Sequence, residues 1–311
     1  MKLVIVMPCY NEEQMLPTTF AVMEKLLDGL IRDNLVDETS QLCFVNDGSR
    51  DATWSMIQKA ASRTPRISGI SLSRNFGHQS AILAGLRSVS ADMVVTMDAD
   101  LQDDPECIRE MVVRHRQGDE IVFGVRNKRT MDTFFKKHTA LAFYKIMLLL
   151  GVNIIDNHAD FRLMGKRAIE ALRFYDERNL FLRAVIPLLG FKTSRVYYDR
   201  MERSAGETKY PFRKMLAFAM NGISSFSIVP LRIITFFGFL TSLLGMILSV
   251  VFIYYRLTGN VVSGWTSMMC VMLFFFGVTI MSLGVVGEYI GRIFIEVKAR
   301  PLYLIDEKIN I

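Results

Sequence analysis

The chain has 311 residues, with a formal net charge of +6 and a pI near 9.1; 51% of its residues are hydrophobic and 22% are charged. That length accommodates a full α/β domain with an appendage, and the joint richness in apolar and charged residues implies a soluble part segregated from a membrane part. Cys9, Cys43, Cys107 and Cys270 show no Cys-x-x-Cys spacing, which argues against a zinc site or disulfide framework and for a reducing compartment; the basic balance suits nucleic acid, anionic lipid or phosphorylated substrates without separating them.

The first apolar run, Leu3–Met7, is too short for a signal peptide and ends at Pro8, so the first domain is expected in the cytoplasm. From there short apolar runs alternate with amphipathic ones. Leu3–Met7, Leu42–Asn46, Ile67–Leu72, Met93–Met97 and Ile121–Phe123 read as strands, and Met15–Leu30, Thr53–Ser62, Ser80–Val89 and Glu106–Gln117 as the helices between them. The alternation predicts a Rossmann-like, mostly parallel, doubly wound sheet with ligands at the carboxyl ends of its strands. No Gly-x-Gly-x-x-Gly follows the first strand, and no Gly-x-x-x-x-Gly-Lys-Ser/Thr occurs anywhere. A dehydrogenase-type dinucleotide site is thereby disfavoured and a P-loop excluded.

Each predicted strand ends in polar residues: Pro8 to Glu13, Asn46 to Asp51, Ser73 to His78, and the acidic cluster Asp98, Asp100, Asp103 and Asp104 before Pro105. Singly, these have ordinary readings as turns, helix caps or a favourable acidic helix N-terminus. Jointly they bring Asp47, Arg74, Asp98 and Asp100 to one crevice. A carboxylate can accept from the N–H of uracil, a guanidinium can meet phosphate, and the pair Asp98-Ala99-Asp100 supplies hard oxygens suited to Mg²⁺ or Mn²⁺. Those groups together describe a nucleotide-diphosphate site.

Pro-Cys-Tyr-Asn-Glu-Glu, Val-Asn-Asp-Gly-Ser-Arg-Asp-Ala-Thr and Asp-Ala-Asp-Leu-Gln-Asp resemble the family 2 glycosyltransferases of the GT-A fold. Within them the chain is most similar to polyprenyl-phosphate glycosyltransferases, particularly the bactoprenol glucosyltransferases of O-antigen modification, and more distantly to dolichol-phosphate mannose synthase. The resemblance implies an inverting transfer of a sugar from a UDP-sugar donor to a polyprenyl phosphate. It places Pro8, Tyr10, Glu12, Asp47, Arg74 and Asp98 around the donor nucleotide. Asp98, Asp100 and Gln102 would surround the metal and diphosphate, with Asp100 counted among the catalytic acids.

Beyond the fifth strand, Gly124 to Arg129 form a basic loop containing Arg126 and Arg129. A basic amphipathic stretch near 134–150 follows, readable either as an interfacial membrane helix or as an ordinary core-packing one. Asp160, in His158-Ala-Asp-Phe-Arg-Leu-Met, reads as a salt-bridged loop acid or, by resemblance, as the catalytic base. A phosphate monoester is already largely dianionic at about pH 7, so Asp160 is expected to orient the acceptor more than to remove a proton. Arg200, Arg203, Lys209 and Tyr210 lie in a basic, Gly-containing loop. They read as ligands of the acceptor phosphate and diphosphate, or as a juxtamembrane cluster drawn to anionic lipid. The absence of Gln-x-x-Arg-Trp argues against a processive polysaccharide synthase.

Ile233–Tyr255 and Thr266–Val286 are uninterrupted apolar runs without a charged residue, each long enough for the ~20 residues a bilayer core requires. Basic residues gather before the first and after the second, while the connector Leu257–Gly264 carries none. The positive-inside rule then puts both termini in the cytoplasm. The expected organisation is a cytoplasmic GT-A domain at 1–211, a juxtamembrane amphipathic segment at 212–230, a transmembrane hairpin at 231–290 and a cytoplasmic tail at 291–311. The expected protein is a multi-pass enzyme of the bacterial inner membrane, moving glucose from UDP-glucose to undecaprenyl phosphate with Mg²⁺ or Mn²⁺. The alternatives are another donor sugar, such as mannose or an aminosugar, or a non-catalytic membrane scaffold. Nucleic acid is not an expected partner, because it leaves the spans unexplained. Small residues such as Gly238 and Gly245 permit a homo-oligomer without requiring one.

Overall fold

The computed structural model describes residues 1–127, 158–178, 181–199, 229–258 and 264–311. It forms two units. One holds the N-terminal sheet and takes back Arg300–Ile311, and the other holds the long helices of the 229–299 region.

The first unit is built on strands β1 (Leu3–Cys9), β2 (Gln41–Asn46), β3 (Ile67–Leu72), β4 (Met93–Thr96) and β5 (Ile121–Arg126). The helices between them are α1 (Leu16–Arg32), α2 (Thr53–Ala61), α3 (His78–Ser88) and α4 (Cys107–Arg116). All nine are the elements expected from the alternation of apolar runs, with ends displaced by a few residues. β1 is buried at every position, as suits a strand covered by helices on both faces. Leu3, Ile5 and Met7 share one core with Leu16, Met23, Leu27 and Leu30 of α1 and Ile108 and Met111 of α4. On the opposite face α3 lies directly on β1, since a Cβ at Gly85 would come within 2.3 Å of Val6 Cγ1.

β6 (His158–Gly165), α5 (Lys166–Leu172), α6 (Leu182–Leu188), β7 (Thr193–Tyr198) and β8 (Ile305–Ile309) complete the unit. The strand order is β7-β5-β6-β4-β1-β2-β3-β8. β1 pairs parallel with β2 and β4, β2 with β3, and β5 with β7; β6 runs antiparallel to β4 and β5, and β8 to β3. The sheet is therefore mixed and mostly parallel, a GT-A-like α/β arrangement. The last β1–β4 pair is Val6↔Thr96. Beyond it the two strands part, which leaves Pro8 without a ladder partner for its missing N–H on that side and opens a crevice at the strand ends.

The C-terminal stretch differs from the expected tail. The last long helix runs on to Lys298, and Ile305–Ile309 then join the sheet as its edge strand. Asp306, Glu307 and Lys308 gave that stretch a solvated appearance. Yet Ile309 packs against the main core, and Glu307 turns back to accept hydrogen bonds from Trp54 and Gln58 of α2.

The second unit contains α7 (Val229–Leu257, 29 residues) and α8 (Trp265–Lys298, 34 residues). Among the described residues one stretch is long and apolar enough to cross a membrane: Phe274–Lys298, 25 residues with mean hydropathy 1.5. In α7 the apolar stretch Leu231–Ile247 is shorter. Phe236, Phe239, Met246, Phe274, Phe276 and Met281 are exposed along these helices, more contiguous apolar surface than a water-soluble monomer ordinarily presents.

Candidate active site

The site is assembled from loops at the carboxyl ends of β1, β2, β3 and β4 and from the first residues of β6. After β2 the chain turns at Asp47-Gly48, where Gly48 has φ +63° and a Cβ would meet the Arg74 carbonyl carbon at 2.3 Å. Only glycine fits there, because the backbone is left-handed and the β3–α3 loop lies directly over it. Asp47 is buried, and its two oxygens accept backbone N–H groups from Phe76 (2.7 Å) and Gly77 (3.0 Å). Burial raises its pKa, and those two amides pull in the other direction. Arg74 is exposed, with its guanidinium 4.0 Å over the Phe76 ring.

The β1–α1 and β2–α2 loops are latched to each other. Glu12 donates its backbone N–H to Thr53 Oγ1 (2.8 Å), Arg50 its own to Asn11 Oδ1 (2.9 Å), and Ala52 to Glu13 Oε2 (3.0 Å). Asn11 takes a left-handed φ of 56° to make this crossing. Tyr10 stands exposed beside the latch, whereas Pro8 is buried within β1.

Past β4, Asp98 is flanked by further acids. Its carboxyl is raised to about 6, by burial first and by the charges of Asp160, Asp103 and Asp100, with His78 opposing. Leu101 turns the chain at φ 53°, and the Gln102 backbone N–H donates to Asp100 Oδ1 at 3.2 Å. Among the described residues Asp98 Oδ1 accepts no hydrogen bond and faces only the imidazole Nε2 of His78, at 3.3 Å. A carboxylate oxygen that accepts no hydrogen bond, two residues from a second acid, Asp100, fits a hard divalent cation. Among the described residues no three His, Cys, Asp or Glu side chains converge as a complete set. A cation here would rest on Asp98 and Asp100, with substrate oxygens and water filling its shell, as Mg²⁺ commonly does.

Asp160 lies on β6, two residues before Arg162, which pairs with Thr96 of β4. The antiparallel register thus carries Asp160 alongside Asp98. The same His78 Nε2 that faces Asp98 is 3.4 Å from Asp160 Oδ2. Arg162 is fully buried and bonds Asp160 Oδ1; Arg183 of α6 reaches Asp160 Oδ2 at 2.8 Å, and Gln79 Nε2 lies 3.3 Å from Oδ1. Burial pushes the Asp160 carboxyl up. The His78 hydrogen bond and the two guanidiniums outweigh it and hold the group well below the ordinary range. For His78, burial lowers the pKa, and the Asp160 bond with the Asp98 charge more than reverses it.

Of the basic residues expected at the phosphates, Arg126 is described. Its guanidinium is committed to Asp103 Oδ1 (2.9 Å) and to the Tyr198 hydroxyl (3.2 Å), which itself donates to Asp103 at 2.6 Å. Arg129, Arg200, Arg203, Lys209 and Tyr210 lie outside the described residues, as do the stretches 134–150 and 212–228. His78, Gln79, Asp103, Arg162, Arg183 and Tyr198 were assigned no role from sequence. His78 and Asp103 stand within the polar strand-end runs already singled out. Nothing local marks Arg183, which is brought in by the first turn of α6.

The family described as glycosyl transferase family 2 matches residues 4–173. An uncharacterized glycosyltransferase of Bacillus subtilis, YkoT, is 47% identical over 306 residues, covering 98% of this chain and 91% of that protein. The bactoprenol glucosyl transferase of Shigella phage SfII is 37% identical over 309 residues, covering 99% of this chain and 98% of that protein. A crystal structure of glucosyl-3-phosphoglycerate synthase from Mycobacterium tuberculosis with Mn²⁺, UDP-glucose and phosphoglyceric acid is 17% identical. It has a TM-score of 0.47 and covers 72% of this chain and 78% of that one.

Proposed function

The chain belongs to glycosyl transferase family 2, and we propose that this glycosyltransferase moves glucose from UDP-glucose to undecaprenyl phosphate at a membrane surface. The observation that carries the reading is the meeting of Asp98 and Asp160 at one imidazole: His78 Nε2 stands 3.3 Å from the first and 3.4 Å from the second. It joins the acidic pair suited to a metal-bound diphosphate to the acid expected beside the acceptor. The choice of glucose and of a bactoprenol acceptor follows the name of the 37% identical phage relative. The preference for UDP rests on Asp47, a buried carboxylate whose oxygens keep acceptor capacity beyond the two amides they receive.

In the proposed reaction an oxygen of the acceptor phosphate attacks the anomeric carbon from the face opposite UDP. The bond to the departing diphosphate breaks as the new one forms, inverting the configuration. A divalent cation on Asp98 and Asp100 would neutralise charge accumulating on UDP. Asp160 is a poor proton acceptor, because two guanidiniums and His78 hold it ionised. The phosphate is already an anion at about neutral pH and needs no base. Asp160 accordingly serves to fix Arg183 and His78, two partly exposed groups beside the acidic pair, where their N–H groups can meet phosphate oxygens.

Two crossings by α7 and α8 are part of this proposal: the polyprenyl tail cannot leave the bilayer, so the site must be held at its surface. The test is purified protein with labelled UDP-glucose, undecaprenyl phosphate and Mg²⁺, read as lipid-linked sugar. Failure with UDP-glucose but success with another UDP-sugar corrects the donor; failure with all of them sinks the reaction. Asp100→Asn is expected to lower kcat by about 10²-fold or more, whereas Glu38→Gln, exposed and outside the site, leaves it unchanged. Equal activity in the two variants would remove the metal role from the acidic pair.

A further inference from the structure

We propose that the C-terminal strand β8 is a positioning element of the donor site, holding the Ser73–Gly77 loop so that nucleotide-sugar affinity depends on residues 304–310. The inference rests on reading Asp47 and this loop as the donor side of the crevice. The loop links β3 to α3 and is gripped from two sides. On the β2 side, Asp47 takes the amides of Phe76 and Gly77, and Gly48 lies beneath Arg74. On the other side, β8 covers β3 through pairs from Gly69↔Ile309 to Leu72↔Ile305. One step further, Ser73 donates its backbone N–H to the carbonyl of Leu304 at 3.0 Å. That last bond joins the C-terminal segment to the loop itself.

β8 is fastened by more than its backbone ladder to β3. Glu307 receives Trp54 Nε1 at 3.0 Å and Gln58 Nε2 at 3.1 Å. Asn310, at φ 56°, donates through Nδ2 to the carbonyls of Ala61 and Ile67, both at 2.9 Å, and its own carbonyl receives Gln41 Nε2 at 3.2 Å. These anchors tie β8 to α2, β2 and β3 at positions that do not line the crevice. Their loss would let the Leu304 carbonyl drift from Ser73. A loop that must then be ordered at binding gives up affinity, because its conformational entropy is lost at that step. Residues 299–304 alone separate the end of α8 from β8, so the grip on the donor loop is also a short covalent extension of the last long helix.

The test uses the full-length protein in detergent with Glu307→Ala and Asn310→Ala combined. It is read by amide hydrogen exchange, UDP binding by calorimetry, and separate KM values for the two substrates. The expected result is faster exchange at Phe76 and Gly77, with the Kd for UDP and the donor KM raised about tenfold. The acceptor KM and kcat should stay within about twofold. Glu307→Gln, which keeps an acceptor for Trp54, should restore most of the affinity. The proposal is overturned if faster exchange stops at β8 while UDP binds as before. It is overturned equally if exchange rises across the whole sheet and kcat falls with affinity, the mark of general loosening. Should the parent protein turn over no UDP-sugar, the functional reading fails, while exchange at residues 73–77 still decides whether β8 holds the loop.

Discussion

Asp160 and Arg162 sit two apart on one strand, on the same face, in a protein interior that admits few unpaired charges. Arg162 is fully buried, so its partner has no substitute from solvent. Asp160→Asn should therefore cost about 3 kcal/mol or more in unfolding free energy, the range for breaking a buried ion pair. It should also lower kcat by about 10²-fold through misplacement of Arg183 and His78. The pH dependence of the stability loss has a defined sign. Asp160's folded pKa lies below its ordinary 3.8, so its contribution is present above 3.8 and disappears as pH falls through the lower folded value. His78 is raised above 6.5, so its share is complete below 6.5 and fades as pH climbs through the raised value. The melting-temperature gap between parent and Asp160→Asn is expected to be widest near pH 5, smaller at pH 8, and closing below 3.8. A gap that grows from pH 5 to 8 contradicts this arrangement. Sequence could not supply it: Asp160 reads as a salt-bridged loop acid, and a charged pair at i and i+2 looks solvated until a third and fourth partner arrive from α3 and α6.

The same distinction runs through the secondary structure. β1 to β5 and α1 to α4 were legible because each buries a continuous or periodic apolar set, which local sequence records directly. β6 carries Asp160 and Arg162, β8 carries Asp306, Glu307 and Lys308, and β7 is an edge strand with alternate residues exposed. Their places in the sheet depend on partners far along the chain, and their charges mask the period-two signal. The acidic pair and the strand-end loops were legible as a candidate site. The latches between loops were not, because the side-chain oxygens of Thr53 and Asn11 accept backbone N–H groups, which every non-proline residue carries. Gly48 is the position where turn and site coincide. Gly48→Ala places a Cβ against the Arg74 backbone at a φ that side chains avoid. It should destabilise the fold by about 2 kcal/mol and raise the donor KM, since the β3–α3 loop must move. Thermal melts and donor titrations of that variant check both. Unchanged donor affinity would separate the turn from the nucleotide site.

β1 and β8 belong to one sheet, although α7 and α8 intervene between the rest of that sheet and its last strand. A chain that leaves a folded domain, enters a bilayer and returns to the same domain must cross the bilayer an even number of times. Phe274–Lys298 is long enough for one crossing; the proposed hairpin would take its second from the residues before it. α7, with 29 residues, spans roughly 43 Å at ~1.5 Å per residue, more than the ~30 Å of a hydrocarbon core. The apolar test stops at Ile247 within α7, yet the sequence continues without a charge to Tyr255. Arg232 precedes this run, Lys298 ends α8 and Arg300 follows it, while the connector 257–264 has no charged residue, an asymmetry that in the proposed hairpin would set the connector outside. A cysteine scan tests the topology in intact cells. Cys9 and Cys43 are buried and stay silent to a membrane-impermeant maleimide; Cys107 and Cys270 are replaced by serine. Gly264→Cys should then label from outside, and Glu38→Cys, exposed on the catalytic unit, only after permeabilisation. If both label only after permeabilisation, the long helices lie on the membrane instead of crossing it, and the lipid phosphate must reach the site by another route.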